Sequence, residues 1–527
     1  MNHALKHGIT YAFIAKSKKS VMQHKLSDGI IVILGASGDL TARKLMPAIF
    51  GLYLQKRLSD KNIVLGVARS PFTDESFRAK MRPMLLQEYP QYEKQLETFL
   101  SQVFYQAIDI YADQGYALLK RSLKKLRDRY QLSNNLLFYL STPPSLYYEI
   151  PAHLARLGLN QEDDGYKRII IEKPFGSDEE SASCLNHHLL QNYHESQLFR
   201  IDHYLGKETV QNLLVFRFAN AIFEPLWNAS HIENVQIYAN EEIGVGARAG
   251  YYDQNGAVRD MVQNHLLQLL GIVAMEPPAK IDAYSIRNET LKVFQSIRRF
   301  KTEADIRKNV VVGQYAEGCV HGKLKNAYRD EKGIACDSLT ETYAAIRFFI
   351  DNWRWHDVPF YIRTGKRLNQ RATEVVINFK STPHPFFSQV QKINKFKNQL
   401  VIRIQPDEGI KLSFAVKEPG AGFKTHEVDM GFYYADFAQK VMPAAYERLI
   451  LDALQGDNTL FARNDAVEAC WNIIDPIKHY LKQHASEMIQ FYPSGSHGPK
   501  AADVMLRARA HYWRNPATKF KNRQEHS

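Results

Sequence analysis

Residues 29–41 read GIIVILGASGDLT, and this stretch decides the fold. The run from Gly29 to Leu34 is apolar throughout and rich in β-branched side chains, and a helix-like segment follows from Leu40 to Leu58. A strand without polar alternation is typical of a parallel sheet that helices cover on both faces. Similar apolar runs lie at 62–68, 136–140 and 168–171. The sequence therefore predicts an α/β N-terminal Rossmann domain, a doubly wound parallel sheet.

The pattern changes after Ile201. Polar and apolar residues alternate in several later segments, which favours a half-buried antiparallel sheet. These segments are 234–238, 343–349, 374–379 and 399–404, and helical segments lie at 207–218, 444–454 and 466–480. We therefore expect a larger α+β C-terminal domain with a mainly antiparallel sheet. The predicted divisions are a flexible leader at 1–27, the Rossmann domain at 28–202, the α+β domain at 203–515 and a basic tail at 516–527.

The composition is that of an ordinary globular protein. The 527 residues carry a net charge of +12 and four widely spaced cysteines. The positive charge favours anionic ligands without specifying their kind, and a charge spread over the surface for solubility is the other interpretation. Cysteines without a Cys-x-x-Cys pair argue against a disulfide framework or a structural zinc and favour the reducing cytoplasm. No apolar stretch reaches the roughly 20 residues that a membrane-spanning helix needs.

The turn after the first strand has the composition of a phosphate-binding loop. Its two glycines would let backbone N–H groups approach a pyrophosphate at the positive end of the following helix. The spacing is G-x-x-G without a third glycine, so a tight strand-to-helix turn with no ligand stays open as the alternative. The predicted cofactor contacts of this turn are Gly35, Ala36, Ser37, Gly38, Asp39 and Leu40.

Arg69 follows the second predicted strand, where an NAD site needs a carboxylate for the ribose 2′-hydroxyl. A guanidinium instead suits the 2′-phosphate of NADP, which it can hold through charge-assisted, bidentate hydrogen bonds. Arg43 and Lys44 could add to that charge. Arg69 by itself could equally be a surface arginine. The glycine turn and the arginine together favour NADP as the cofactor.

The densest polar cluster of the chain is RIDHYLGKET at 200–209. His203, Tyr204 and Lys207 supply three different hydrogen-bond donors where a helix would begin, and Gly206 would leave room for close approach. These features favour a compact site for a dianion. A helix cap with surface charges is the alternative interpretation.

The segment GAVRDMVQNHLL at 256–267 predicts a buried helix that polar side chains interrupt. At about 100° per residue, Asp260 and His265 would lie about 140° apart and flank a site. Histidine is the residue best suited to remove a hydroxyl proton near neutral pH, as alcohol oxidation by a nicotinamide requires. A histidine in an apolar helix is more often structural, and that interpretation also stays open. Asp202 would fix the imidazole tautomer if the two segments meet.

Six segments together closely resemble the glucose-6-phosphate 1-dehydrogenase family. They are GASGDLTARKLMPAIF (35–50), IIIEKPFG (169–176), RIDHYLGKETVQNLL (200–214), GYYDQNGAVRDMVQNHLLQLL (250–270), DNWRWHDVPFYIRTGKRL (351–368) and AYERLILDALQGD (445–457). The resemblance implies NADP-dependent oxidation of D-glucose 6-phosphate at C1 to 6-phospho-D-glucono-1,5-lactone. This reaction is the first step of the oxidative pentose phosphate pathway and supplies NADPH.

The resemblance also implies residue roles. It makes His265 the general base and Asp202 the group that orients it. The implied substrate contacts are His203, Tyr204, Lys207, Glu241, Asp260, Lys366 and Lys173. The implied NADP contacts beyond the glycine turn are Arg69, Asp109, Ile110, Tyr147 and Lys173, and Pro174 matches a proline associated with domain movement. Many relatives carry a second lysine where this chain has Arg371, which keeps the charge but changes its geometry.

The resemblance further implies a cytoplasmic homodimer or homotetramer, with dimerisation through the second sheet. We expect glucose 6-phosphate as the partner, and no nucleic acid, membrane or metal ion. The alternative within enzymes is an NADP-dependent oxidoreductase acting on another sugar or cyclitol. Outside enzymes, a catalytically silent sugar-phosphate sensor or a nucleic-acid binder could also use the net charge of +12.

Overall fold

The computed structural model describes residues 27–384, 397–420, 422–437 and 444–516. Its first sheet contains six parallel strands in the order β3-β2-β1-β4-β5-β6. The strands are β1 (Ile30–Leu34), β2 (Ile63–Ala68), β3 (Val103–Ala107), β4 (Leu136–Leu140), β5 (Lys167–Ile171) and β6 (Leu198–Ile201). This order is that of a dinucleotide-binding sheet, in which ligands bind at the carboxyl ends of the strands.

Helices cover both faces of this sheet. They are α1 (Met46–Leu54), α2 (Asp74–Glu88), α3 (Glu93–Leu100), α4 (Asp113–Tyr130), α5 (Leu146–Arg156) and α6 (Glu179–Leu190). Alternate side chains of β1 enter opposite apolar clusters, with Ile31 and Ile33 on one face and Ile30, Val32 and Leu34 on the other. Burial on both faces explains why the strand is apolar throughout, and the predicted doubly wound sheet is confirmed.

The single helix expected from Leu40 to Leu58 begins differently. A π-helix spans Thr41–Leu45, and α1 then runs from Met46 and ends at Leu54. Pro47, in the first turn of α1, has no N–H to donate, which suits a helix start. The segment is therefore helical, but shorter than expected and irregular in its first turn.

The second sheet has nine strands in the order β16-β15-β14-β13-β7-β12-β11-β8-β18. Only the pairs β12–β7 and β18–β8 are parallel, so the expected mainly antiparallel sheet is confirmed. Its strands are β7 (Ile232–Asn240), β8 (Val310–Ala316), β11 (Tyr343–Phe349), β12 (Pro359–Gly365), β13 (Ala372–Phe379), β14 (Gln399–Gln405), β15 (Gly409–Lys417), β16 (Thr425–Tyr433) and β18 (Ile489–Pro493), and a separate hairpin joins β9 (Gly318–Val320) to β10 (Lys323–Lys325).

The helices of this part are α7 (Glu208–Phe218), α8 (Ala249–Ala257), α9 (Leu267–Ala274), α10 (Ala283–Ser296), α11 (Glu303–Asn309), α12 (Tyr434–Phe437), α13 (Ala445–Gln455), α14 (Asn464–Met488) and α15 (Lys500–Arg507). Several of these helices contact strands of the second sheet, and α14 also packs against α6 of the first part. A second π-helix, Val258–Leu266, lies between α8 and α9.

The chain returns to the first sheet near its end. Strand β17 (Phe461–Ala462) pairs antiparallel with β6, and α14 packs against α6. Asp475 of α14 accepts the N–H of Glu179, the first residue of α6, at 2.7 Å. A strand of two residues has no periodicity, so the sequence pattern could not reveal this pairing.

Most of the predicted leader (1–27) and most of the basic tail (516–527) lie outside the described residues, which leave out 1–26 and 517–527. Within the part of the chain that the structure describes, no helix has both the length and the apolar character needed to cross a membrane.

Candidate active site

The carboxyl ends of the parallel strands bring most of the predicted residues to one edge of the first sheet. Gly35 follows β1, Arg69 follows β2 and Asp109 lies just beyond β3. Lys173 lies two residues after β5, and Asp202 directly follows β6. Each predicted residue is thus placed by the strand that precedes it.

The turn after β1 requires its first glycine. Gly35 has φ +85°, and a Cβ there would lie 2.0 Å from the carbonyl oxygen of Ser141. The N–H of Gly35 donates to Val67 at 2.8 Å, and that of Gly38 donates to Gly35 at 3.0 Å. Ala36 is buried, whereas Ser37, Gly38, Asp39 and Leu40 are at least partly exposed. The turn therefore presents backbone at the start of a helix, where the first N–H groups have no partner within the helix.

The other predicted cofactor residues lie at different depths. Arg69 and Asp109 are exposed at the strand ends, and the Asp109 carboxylate accepts the N–H of Tyr111 at 3.0 Å. Ile110 and Tyr147 are buried in the same apolar cluster. Arg69 and Asp109 are therefore accessible to a ligand, while the side chains of Ile110 and Tyr147 are packed into the apolar core of this domain.

His265 lies on the second π-helix, and this changes the expected geometry. In a π-helix each N–H bonds to the carbonyl five residues earlier, so residues five apart lie on nearly the same side. The expectation that Asp260 and His265 lie about 140° apart, which assumed an α-helix, is wrong. Both contact the ammonium of Lys173, at 3.2 Å from Asp260 Oδ1 and 2.7 Å from His265 Nε2.

The imidazole of His265 bridges two charged groups. Its Nδ1 lies 2.7 Å from Asp202 Oδ1, and its Nε2 accepts from Lys173 Nζ. Since Nε2 accepts a hydrogen bond from an ammonium, Nδ1 carries the proton and donates to Asp202. His265 is 1% exposed and Asp202 is 4% exposed. The two segments therefore meet, which is the condition under which Asp202 can fix the imidazole tautomer.

Burial lowers the pKa of the His265 imidazole well below its ordinary range, and the ammonium of Lys173 lowers it further. Burial raises the pKa of Asp202, and this rise is opposed by His203 and Lys173. The imidazole is therefore neutral at neutral pH. A neutral imidazole whose Nε2 lone pair faces the Lys173 ammonium is a proton acceptor.

Asp260 is ionised in the same cluster. Burial raises the pKa of its carboxyl, but the nearby cations Lys173, Arg248 and Lys366 outweigh burial and lower this pKa to about 2. Lys173 also contacts the backbone carbonyl of Asp260 at 3.4 Å. The carboxylate is thus a fixed hydrogen-bond acceptor beside the imidazole.

The three predicted dianion ligands lie immediately before or at the start of α7. The rings of His203 and Tyr204 each lie 4.5 Å from that of His265, measured between centroids. Lys207 is half-buried, and its Nζ donates to Gln405 Oε1 at 2.6 Å. Burial lowers the pKa of Lys207, Glu408 raises it, and Arg371 lowers it through charge repulsion. Lys207 and Arg371 therefore lie close enough for their positive charges to repel each other.

Gly206 does not have the expected role. A Cβ at this position would lie 2.9 Å from Cγ of Leu449 on α13 and 3.1 Å from the carbonyl oxygen of Ala445. The missing side chain allows α13 to pack closely and does not leave room for a ligand.

The second sheet contributes the remaining predicted residues. Lys366, after β12, donates to Glu241, after β7, at 2.6 Å, and its ammonium lies 4.8 Å from the ring centroid of Tyr252. Arg371 is exposed, and its backbone N–H donates to Glu242 at 3.1 Å. Because β7 and β12 are parallel neighbours, their carboxyl ends place Glu241 and Lys366 side by side.

Sequence reasoning missed three residues that shape this site. Gln405 joins Lys207 to Thr373, donating to Thr373 Oγ1 at 3.1 Å. Arg248 contributes charge near Asp260 and His265. Glu341 accepts the N–H of Val258 at 3.2 Å, at the start of the π-helix. No sequence motif identifies these residues, because one is a glutamine at a strand end, one an arginine outside any regular pattern and one a carboxylate far away in the chain.

Asp202, His203 and His265 also present ligand atoms within 4.8 Å of one another, as a metal site would. Here, however, Nδ1 of His265 is bonded to Asp202 and Nε2 lies 2.7 Å from the Lys173 ammonium. An ammonium in this position opposes a second cation, so the donors suit a proton transfer better than a metal.

Two family models together match nearly the whole described chain. The model for the "Glucose-6-phosphate dehydrogenase, NAD binding domain" matches residues 32–212, and that for the "Glucose-6-phosphate dehydrogenase, C-terminal domain" matches residues 214–514.

Individual relatives agree with the family models. The chain is 51% identical over 499 residues to a glucose-6-phosphate 1-dehydrogenase of Aggregatibacter actinomycetemcomitans, covering 95% of this chain and 100% of the relative. It is 46% identical to that of Treponema pallidum, covering 93% and 95%. A solved glucose-6-phosphate dehydrogenase in complex with its substrate glucose-6-phosphate is 35% identical, with a TM-score of 0.86 over 93% of this chain and 99% of the other.

Proposed function

This chain belongs to the glucose-6-phosphate dehydrogenase family, and from that premise we propose how its residues carry out the reaction. The protein oxidises D-glucose 6-phosphate at C1 to 6-phospho-D-glucono-1,5-lactone with NADP as the acceptor. His265 acts as the general base, and Asp202 orients it. The observation that carries this assignment is the chain of hydrogen bonds from Asp202 through the neutral imidazole to Lys173.

Oxidation at C1 requires a proton to leave the hydroxyl as a hydride leaves the carbon. Nε2 of His265 takes that proton, because Nδ1 already carries one and donates it to Asp202. The imidazolium that forms lies beside the Asp202 carboxylate, which stabilises the new charge. The C1 hydroxyl takes the position next to Nε2 that Lys173 Nζ holds here, and Lys173 remains a donor to the sugar oxygen.

The 6-phosphate binds to His203, Tyr204, Lys207 and Arg371. Lys207 and Arg371 supply positive charge, while His203 and Tyr204 supply hydrogen-bond donors. Lys207 is held by Gln405, so its ammonium is positioned before a ligand arrives. Anchoring the phosphate orients C1 toward His265, which is a large contribution to rate in its own right.

The sugar hydroxyls and ring bind to Glu241, Asp260 and Lys366. The ionised Asp260 accepts hydrogen bonds from hydroxyls near the imidazole. Glu241 and Lys366 form an ion pair that can exchange its mutual hydrogen bond for bonds to the sugar. Lys173 lies between this cluster and the cofactor edge.

The residues at the edge of the first sheet fit NADP. Gly35, at φ +85°, lets the turn pass close against the backbone of Ser141, and the turn then leads into a helix start, where the first N–H groups face the edge of the sheet without partners within the helix. Bound NADP supplies the hydride acceptor. Arg69 is exposed at the end of β2, where it can hold the 2′-phosphate, and Asp109, Ile110, Tyr147 and Lys173 complete the site.

We further propose that the protein is cytoplasmic and forms a homodimer or homotetramer through the second sheet. The edge strand of that sheet, β16, supports this proposal, because Met430 on it is 60% exposed. The division into an NADP-binding domain at 28–202 and a substrate-binding and dimerisation domain at 203–515 is part of the same proposal.

The direct test is an assay of the purified protein with glucose 6-phosphate or free glucose, and with NADP or NAD, followed by formation of the reduced cofactor. We expect the highest kcat/KM with glucose 6-phosphate and NADP. A low KM for free glucose, or no turnover although both ligands bind, would contradict the proposal.

A further inference from the structure

A second cleft, of about 950 Å³, lies away from the candidate active site. Its walls come from the segment before α11, from α11 itself, and from the ends of β8, β11, α14 and α15. None of the residues that line it belongs to the site described above. Its volume lies in the range of small-molecule sites in proteins.

The cleft is strongly positive. Seven arginine and lysine side chains and three carboxylates line it, an excess of four positive charges. Two of the carboxylates are already paired, Asp351 with Arg298 at 2.6 Å and Glu487 with Arg307 at 2.7 Å. The third, Asp305, caps α11 and accepts the N–H of Thr302. Three carboxylates cannot balance seven cations, so the cleft keeps an excess of positive charge.

Three of those cations are exposed on the cleft wall. Arg299, Lys301 and Lys308 make no ion pair within the described residues. A concave surface with one sign of charge concentrates anions of the opposite sign.

Arg347 provides an independent observation, because it is buried. It is 5% exposed, its Nε donates to Asn309 Oδ1 at 2.8 Å, and its Nη2 contacts the carbonyl oxygen of Lys308 at 3.3 Å. Among the described residues it has no carboxylate partner in an ion pair. A buried charge in a protein is ordinarily paired, so a guanidinium without a carboxylate at the wall of a cleft points to an anion from outside the chain.

The lining also has an apolar part. Phe349 lies between three guanidinium groups, those of Arg298, Arg509 and Arg347, at 5.0, 5.1 and 5.8 Å from its ring centroid. Val504 on α15 is 61% exposed beside it. Guanidinium planes and apolar side chains together suit a flat aromatic base, while free cations suit phosphate groups.

We propose that this cleft is a binding site for a nucleoside polyphosphate, separate from the dinucleotide site of the first sheet. The phosphates contact Arg299, Lys301 and Lys308 and neutralise the buried charge of Arg347. The base lies against the apolar wall near Phe349.

The test is calorimetric titration with ATP, in the absence of divalent cations, of protein saturated with NADPH and glucose 6-phosphate. Those two ligands fill the active site without turnover, so ATP reports only on a further site. The cleft variant is Arg299→Glu combined with Lys308→Glu, which removes the excess of four positive charges. The matched control is Lys94→Glu combined with Lys125→Glu, an equal charge change at exposed positions outside the cleft.

We expect one ATP to bind per chain. In the cleft variant the Kd for ATP should rise at least about tenfold, because the phosphates lose two cations and meet two carboxylates within a Debye length. The control variant should bind as the wild type does. We also expect ATP to bind more tightly than inorganic tripolyphosphate, since only ATP has a base for the apolar wall.

Three results would overturn the proposal. One is no ATP binding by the wild type, and another is equal affinity in the cleft and control variants. The third is a cleft variant whose oligomeric state differs from that of the wild type, with no ATP binding by either protein. That result would make the cleft an interface between copies of the chain. None of these readouts depends on His265 or on turnover, so the proposal fails or stands separately from the proposed function.

Discussion

The proposed chemistry of the site depends on one imidazole that is kept neutral. His265 is buried, and its pKa is depressed first by that burial and then by the ammonium of Lys173. Asp202 on the opposite side fixes the tautomer. In this proposal, burial, the Lys173 ammonium and the Asp202 carboxylate together decide which nitrogen accepts the proton and over what range of pH it can do so.

The pH dependence of kcat follows from the direction of that shift. The base works only when it is deprotonated, so activity is full above the pKa of His265 in the folded protein and is lost as the pH falls through it. We expect this acidic limb to lie below about 6.5, the ordinary pKa of histidine. The measurement is a pH profile of kcat at saturating substrates.

The control for this profile is Lys173→Gln, which removes a cation but keeps a hydrogen-bonding group. We expect its acidic limb to move to higher pH, since the imidazolium is no longer repelled, whatever happens to the absolute rate. An acidic limb that is unchanged in this variant would contradict the assignment of the limb to His265.

Arg69 is the residue that we expect to decide between NADP and NAD. Replacing it with alanine should lower kcat/KM for NADP by about 10- to 100-fold, because a hydrogen bond to a charged group contributes about 1.5–3 kcal/mol. The value for NAD should change little, since NAD has no 2′-phosphate. Steady-state kinetics with both cofactors give the comparison, and Arg129→Ala, an exposed arginine on α4, is the control. An equal loss with both cofactors would rule out this role.

At the scale of elements, the sequence predicted strands better than helix geometry. β4 and β11 have the expected bounds, because apolar or alternating runs with clear ends define them. The π-helix at Val258–Leu266 was not predicted, since Val258, Met261, Val262 and Leu266 are compatible with α-helical spacing as well. The apolar pattern fixes which residues are buried, but not whether each N–H bonds four or five residues back.

Gly256 lies two residues before the π-helix Val258–Leu266, which carries His265, and a substitution there tests how much the start of that helix matters. It has φ +69°, and a Cβ there would lie 2.4 Å from the Glu341 carboxylate, which accepts the N–H of Val258. Gly256→Ala should therefore lower the free energy of unfolding by more than the ~1 kcal/mol that a left-handed backbone position costs a residue with a side chain. It should also lower kcat. Denaturant unfolding and turnover are the two measurements.

The matched control for this variant is Gly322→Ala. Gly322 has φ +74°, and a Cβ there would meet nothing within 4 Å. We expect Gly322→Ala to lose only the free energy of unfolding that a left-handed backbone position costs, and to keep a normal kcat. If the two variants lose the same stability and neither loses activity, the close packing of Glu341 against Gly256 does not hold the π-helix Val258–Leu266 in place.

At the scale of the whole molecule, the site forms where two parts of the chain meet. Lys173 and Asp202 follow strands of the first sheet, and His265 and Asp260 lie on a helix of the second part. Sequence reasoning predicted the residues but could not predict their convergence, because nothing local in 200–209 encodes a contact with 256–267. It likewise could not predict the return of β17 to the first sheet or the contact of Gly206 with α13.

The central claim is that this convergence makes His265 the base. The variant His265→Asn keeps a polar side chain of similar size, and His153→Asn is the matched control, since His153 is also buried and bonded to a carboxylate, Asp113, at 2.8 Å. We measure kcat together with the binding of glucose 6-phosphate and NADP. The account predicts that His265→Asn binds both ligands and loses at least about 10³-fold in kcat, while His153→Asn remains active. Near-normal turnover by His265→Asn would contradict it.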